Sequence, residues 1–175
     1  KLHKPQERER LAGLIKAHSS WKVAIIEPIS IDERKGPTSL NTLEIRAFAS
    51  LLDEMRPRKA YVDACDASEM HFKTALTRAM RTRPELVCEH KADLNYPVVS
   101  AASIVAKVRR DEEMRRIGDE LGDVGSGYSS DPKTRAFLEN WIRENGDLPP
   151  YTRRSWATAR DMLSSSKTSK LSDWE

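Results

Sequence analysis

Apolar positions recur three and four residues apart over several stretches of the chain, and short β-rich runs separate them. Leu11, Leu14 and Ile15 predict a helix from Pro5 to about Ala17, with Pro5 suited to a first helical position. Trp21 to Ile29 is rich in Val and Ile and interrupted by Pro28, which reads as a strand leading into a polar loop over Asp32 to Thr38. Leu43, Ala47, Phe48, Leu51 and Leu52 predict a helix from Asn41 to Met55, stopped by Pro57. A short strand, Ala60 to Asp63, precedes a helix from Ser68 to Met80, and a second strand follows at Glu85 to Glu89. The longest helical pattern runs from Val98 to Leu121 and ends at a glycine-rich loop, Gly122 to Asp131. Helices at Pro132 to Glu144 and Arg153 to Leu163 close the ordered part, and the polar run Ser164 to Lys170 reads as disordered. The class is α/β with a helical C-terminal extension.

Composition narrows the possibilities. The chain has 175 residues, enough for one domain or one with an appendage. With 38% hydrophobic and 33% charged residues and no long apolar run, it reads as a soluble protein with no membrane partner. Thirty Lys and Arg against 27 Asp and Glu leave +3, too little to identify a polyanionic partner from net charge alone. Two cysteines, Cys65 and Cys88, make no disulfide framework, suit a reducing cytoplasm and read as small buried hydrophobes. The opening Lys1-Leu2-His3-Lys4-Pro5 has no signal-peptide character and reads as an excerpt from a longer chain.

Two aspartates draw attention by position. Asp63 ends one predicted strand and Asp93 closely follows the other, so both emerge from one sheet edge if the strands are neighbours. Paired carboxylates there suit Mg²⁺ or Mn²⁺, hard cations that bind oxygen, although a lone Asp in such a place is more often a turn former or a helix cap. Between Lys133 and Arg160, six basic residues face three acidic ones, a stretch that can contact phosphates or simply form a solvated face. Arg153 and Arg154, beside Trp156 at a predicted helix start, lead that group.

The run His90-Lys91-Ala92-Asp93-Leu94-Asn95-Tyr96-Pro97-Val98-Val99-Ser100-Ala101-Ala102-Ser103-Ile104-Val105-Ala106-Lys107-Val108-Arg109-Arg110-Asp111 closely resembles the signature of ribonuclease HII, the type 2 ribonuclease H family. Tyr61-Val62-Asp63-Ala64-Cys65-Asp66, Gly125-Ser126-Gly127-Tyr128-Ser129-Ser130-Asp131-Pro132 and Arg153-Arg154-Ser155-Trp156 follow the family order, in the manner of its archaeal and eukaryotic branch. The resemblance implies a ribonuclease H-like mixed sheet flanked by helices. It further implies cleavage of the RNA strand in RNA/DNA hybrids and incision 5′ of single ribonucleotides in duplex DNA, leaving 3′-hydroxyl and 5′-phosphate ends. Four acidic residues and two Mg²⁺ or Mn²⁺ ions do this in the family, and motif match makes Asp63 and Asp93 two of the four.

The other two belong to an Asp-Glu-Ala-Gly-Arg-Gly segment that occurs nowhere in the chain and is expected upstream of Lys1. The rival reading is therefore a catalytically incomplete hybrid-binding module. By the same resemblance Tyr128 stacks on the sugar beside the ribonucleotide. Ser103 and Lys107 lie four apart on one helix, and Lys107 reads equally as a phosphate contact or a solvated lysine. Asp111 reads as the partner of a neighbouring arginine, His90 as a structural histidine, and His71 and His3 as surface residues. The expected organisation is a catalytic domain over 1–121, a nucleic-acid-binding helical part over 122–163 and a tail over 164–175. Residues 168–175 match weakly a sliding-clamp docking peptide carried by some family members.

Overall fold

The computed structural model describes residues 4–33 and 39–172, with side chains up to residue 166. These residues form two compact bodies, one from 4–25 and 39–109, the other from 26–33 and 110–172.

In the first body, α1 (Pro5–His18) begins with its proline and lays Leu11, Ala12 and Ile15 against Ile104 and Val108 of α6 (Pro97–Leu121). A helix α3 (Leu40–Met55) starts at Ser39, whose hydroxyl accepts the Thr42 N–H, and α4 (Glu69–Ala79) is capped in the same way by Ser68. Between and after them lie β1 (Lys59–Asp63) and β2 (Glu85–Glu89), which pair in parallel with Asp63 opposite Glu89. Period-2 alternation turns Ala60, Val62, Leu86 and Cys88 to one face, where Ile45 and Ala49 of α3 and the fully buried Phe72 and Leu76 of α4 cover them. Asp53 near the end of α3 accepts the backbone N–H groups of Arg81 and Thr82 and the Thr82 hydroxyl, tying α3 to the turn before β2. The short α5 (Ala92–Asn95) follows β2.

The second body contains α2 (Pro28–Asp32), the C-terminal half of α6 from residue 110, α7 (Pro132–Asn145) and α8 (Ala157–Ser172). Ile142 on α7 and Leu148 pack with Ala159 of α8, supported by Trp156, Met162 and Leu163.

Four expectations are corrected. Residues 21–27 form no strand and Pro28 opens α2 instead. β-branched composition reports how side chains fit a pleated surface, but a strand also needs a hydrogen-bonded neighbour, and among the described residues only β1 and β2 pair. The last helix starts at Ala157 rather than Arg153, because the Arg154 and Ser155 N–H groups are held by the carboxylate of Asp32 at 2.6 and 3.0 Å. Its backbone stays helical through Ser172, where disorder was expected, and the Ser164 and Ser165 hydroxyls bond back to the carbonyls of Arg160 and Asp161. Cys65, finally, is exposed in the turn after β1, whereas Cys88 is buried. No helix among the described residues is long and apolar enough to cross a membrane.

Candidate functional site

The first body sets the loop that carries Asp93 against the end of β1, where Asp63 stands. Parallel pairing ends β1 and β2 side by side, so Asp63 and Glu89 leave the sheet at the same C-terminal edge. The chain then turns through Lys91, which sits in the left-handed region at φ 55, and enters α5 with Ala92 fully buried and Asp93 half-buried in its first turn. The Ala92 N–H points at the Asp63 carboxylate, 3.4 Å from Oδ1, which fixes the loop carrying Asp93 against the end of β1.

The neighbouring polar groups brace this edge. Tyr96 donates from its hydroxyl to Glu89 at 2.7 Å, and its ring lies 4.5 Å from that of Tyr61. His90 Nε2 lies 2.7 Å from the Asp66 carbonyl, and its backbone N–H donates to Glu69 at 2.7 Å, so it serves the structural part expected of it. His71 does more than decorate the surface: its Nδ1 meets Asp66 Oδ2 at 2.8 Å, and this bond above all holds the Asp66 carboxyl below the usual carboxylate range. Although Cys65 is exposed as a residue, burial around its thiol and the Glu44 carboxylate push it up to about 12, which favours the protonated thiol.

Asp63 and Asp93 offer the all-oxygen donors that Mg²⁺ and Mn²⁺ prefer. In number they are two, and among the described residues no group of three or more His, Cys, Asp or Glu side chains could hold a metal ion. Asp63 and Asp93 thus fit a hard divalent cation in kind as two of its ligands.

On α6, Ser103 is half-buried and Lys107 exposed one turn later. Both belong to the first body.

The second body holds the Gly-Ser-Gly-Tyr loop. Gly125 and Gly127 take φ +67 and +74, and a Cβ at Gly125 would lie 2.7 Å from the Thr134 backbone N and hydroxyl, so glycine is required there. Thr134, the one buried polar residue of the described chain, donates its hydroxyl to the Val124 carbonyl at 3.0 Å and accepts the Gly127 N–H at 2.9 Å. Asp131 caps α7 through the Lys133 N–H and accepts the Ser126 N–H at 2.6 Å; hydrogen bonding from Ser126 is the main reason its carboxyl falls to about 2. Tyr128 stands out of this frame, 48% exposed, with the Arg110 guanidinium 4.0 Å above its ring. Arg110 also reaches Asp111 at 3.6 Å, the pairing expected for that aspartate.

Arg153 and Arg154 lie in the same body. Arg153 is half-buried and lines a cavity of about 330 Å³ with Trp156, Phe137 and Tyr151, while Arg154 is exposed and paired with Asp147. Partial burial of Asp32 works against ionisation, but the hydroxyl and backbone N–H of Ser155 and the N–H of Arg154 outweigh it and hold the carboxyl below its ordinary range. Sequence reasoning did not find Asp32, Glu89 or the packing of Arg110 on Tyr128. Glu89 alone had a visible signal, since it ends the second predicted strand as Asp63 ends the first.

Comparison with known proteins fits this architecture. The family model described as Ribonuclease HII matches residues 1–159. Ribonuclease HII of Pyrococcus furiosus is 41% identical over 169 residues, covering 95% of this chain and 75% of the relative, and that of Methanococcoides burtonii is 44% identical over 167 residues, covering 91% and 78%. Among solved structures, the ribonuclease H2 from Pyrococcus horikoshii superposes with a TM-score of 0.85 at 37% identity, covering 95% of this chain and 79% of that one. The PCNA:RNase HII complex from Archaeoglobus fulgidus gives 0.84 at 36% identity, covering 93% and 78%. The fold is thus the α/β class of the ribonucleases H of type 2. The chain belongs to the ribonuclease HII family, hydrolases that act on RNA in RNA/DNA hybrids.

Proposed function

We propose that this chain is an endoribonuclease that cuts the RNA strand of RNA/DNA hybrids and incises duplex DNA on the 5′ side of a single embedded ribonucleotide, leaving 3′-hydroxyl and 5′-phosphate ends. The observation that carries this reading is that the loop bearing Asp93 lies against the end of β1, with the Ala92 N–H directed at the Asp63 carboxylate. Both carboxylates then serve as catalytic metal ligands. Asp63 and Asp93 would hold Mg²⁺ or Mn²⁺ as two of the ligands, and a divalent ion held there would supply a water nucleophile at neutral pH and offset charge at the scissile phosphate.

The chain's own side chains bind and orient the substrate. Ser103 and Lys107 contact the backbone from successive turns of α6, and Arg153 and Arg154 add phosphate contacts that raise affinity without selecting sequence. Arg154 is free to exchange its exposed ion pair with Asp147 for a phosphate, since such pairs hold weakly. Tyr128 stacks on the sugar next to the ribonucleotide. On this reading residues 1–121 carry the chemistry together with the Ser103 and Lys107 contacts, and 122–163 carry the remaining nucleic-acid contacts of a cytoplasmic enzyme. The Archaeoglobus relative was solved with PCNA, which supports a weak sliding-clamp contact through residues 168–175. The side chains of 168–172 and the whole of 173–175 lie outside the described residues.

The test is incision of a DNA duplex containing one ribonucleotide, in Mg²⁺ or Mn²⁺, by the chain and by its Asp63→Asn and Asp93→Asn variants. Cleavage 5′ of the ribonucleotide that both substitutions remove supports the proposal. Binding of the hybrid without any cut supports the alternative, a catalytically incomplete hybrid-binding module.

A further inference from the structure

We infer that Arg110 is a positioning residue for Tyr128: its guanidinium covers one face of the ring and braces the loop, so that the opposite face is presented, already oriented, to a nucleotide sugar. The inference rests on the proposed reading of Tyr128 as a stacking residue and goes beyond it by naming what aims the ring.

Three observations within the second body carry it. The Arg110 Cζ lies 4.0 Å from the Tyr128 ring centroid, a cation–π stacking distance. The same guanidinium donates from Nη2 to the Ser126 carbonyl at 2.7 Å, so one planar group grips both the ring and the backbone two residues before it. Gly127, between those two contacts, has φ +74, and a Cβ there would sit 2.9 Å from the Met114 side chain and 3.3 Å from Arg110 Nη2, which shows how closely the loop is seated on α6. Tyr128 is nevertheless 48% exposed. A tyrosine on a glycine-rich loop ordinarily samples several rotamers, and holding it in one before substrate arrives removes an ordering cost from binding.

Arg110 is also a cation beside a proposed nucleic-acid surface, so the competing account is that it simply contacts a phosphate. The two accounts differ in salt dependence and in additivity. A phosphate contact contributes about one unit to the salt slope, and its loss adds to the loss of Tyr128. A positioning residue acts only through the ring.

The experiment measures, by fluorescence anisotropy in EDTA to prevent turnover, the affinity of the chain for a single-ribonucleotide DNA duplex and for the matching all-DNA duplex across a range of salt. The variants are Tyr128→Ala, Arg110→Ala, Arg110→Lys and the double Arg110→Ala/Tyr128→Ala, with a thermal melt for each. Tyr128→Ala is expected to lower the preference for the ribonucleotide duplex about tenfold. Arg110→Ala is expected to lower it about threefold with an unchanged salt slope, and Arg110→Lys, which keeps the charge but not the planar face, to lose as much. The double variant should be no weaker than Tyr128→Ala alone. Should Arg110→Ala fail to fold, Arg110→Lys carries the same comparison. Multiplicative losses with a shallower salt slope would overturn the inference while leaving Tyr128 as a stacking residue; no loss in Tyr128→Ala would overturn both.

Discussion

The acidic side chains at the end of β1 and β2 and those in the loop before α7 are similar in sequence and opposite in how the protein uses them. Asp131 is saturated: it accepts the N–H groups of Ser126 and Lys133, and its carboxyl is pulled to about 2. Asp63 receives a single long hydrogen bond, from Ala92 at 3.4 Å, and Asp93 has no hydrogen-bond or ion-pair partner among the described residues. A carboxylate whose lone pairs are filled by the backbone is a structural element, whereas one held in place but left with open lone pairs is available to an outside ligand. The proposed division of labour follows from that contrast, with ligand binding at the strand edge and loop rigidity before α7.

The sharpest way to break the contrast is exchange of one carboxylate in each region. Asp93→Asn should lower incision on the order of a thousandfold, the loss expected when a metal ligand is removed, with little change in melting temperature. Asp131→Asn should lower the melting temperature and leave measurable incision. Kinetics and a thermal melt on the same preparations read both, and a large melting loss in Asp93→Asn would reverse the assignment.

Thr134→Val tests the rigid side alone. It strips the Gly127 N–H and the Val124 carbonyl of their partner in a buried setting and should cost about 1–3 kcal/mol in a urea titration.

Acid sharpens the picture further. Asp131 and Asp53 both have folded values of about 2 against an ordinary 3.8, so the stability they contribute is complete above the ordinary value and is lost as pH falls through the folded one. The melting temperature should therefore drop between about pH 4 and pH 2. A doubly substituted Asp53→Asn, Asp131→Asn chain should show a flatter acid limb, and an identical limb would count against these carboxylates as its source.

The smallest expected effect belongs to the proposed phosphate contacts. Lys107→Ala or Arg154→Ala should weaken duplex binding only a few-fold and reduce the salt slope by about one, equally for ribonucleotide-containing and all-DNA duplexes. A loss confined to the ribonucleotide duplex would instead give that residue a part in recognition.

What the chain's residues announced depended on how locally each feature is determined. The helices α3, α4 and α7 carry both an apolar stripe and a capping Ser or Asp in sequence, and their bounds fall within a residue or two of expectation. Asp63 and Asp93 were legible because a strand end can be read from a short window and parallel pairing needs only one neighbour. Trp21 to Ile26 carried the right composition for a strand, but composition cannot say whether a neighbouring ladder exists. The start of α8 and the placement of Arg154 depend on Asp32, more than a hundred residues earlier, and nothing in the residues around Arg153 signals that contact. The seat of Tyr128 on Arg110 likewise requires the register between a helix and a loop, which no periodicity encodes.

The central claim, that open carboxylates at the strand edge are the ones that take a divalent ion, is tested most directly by titrating Mn²⁺ into isotopically labelled chain and following paramagnetic broadening of amide signals. Signals around Asp63, Ala92 and Asp93 should broaden first, and Asp63→Asn should suppress this while Asp131→Asn leaves it unchanged. Broadening that starts around Asp131, or that ignores Asp63→Asn, would contradict the account.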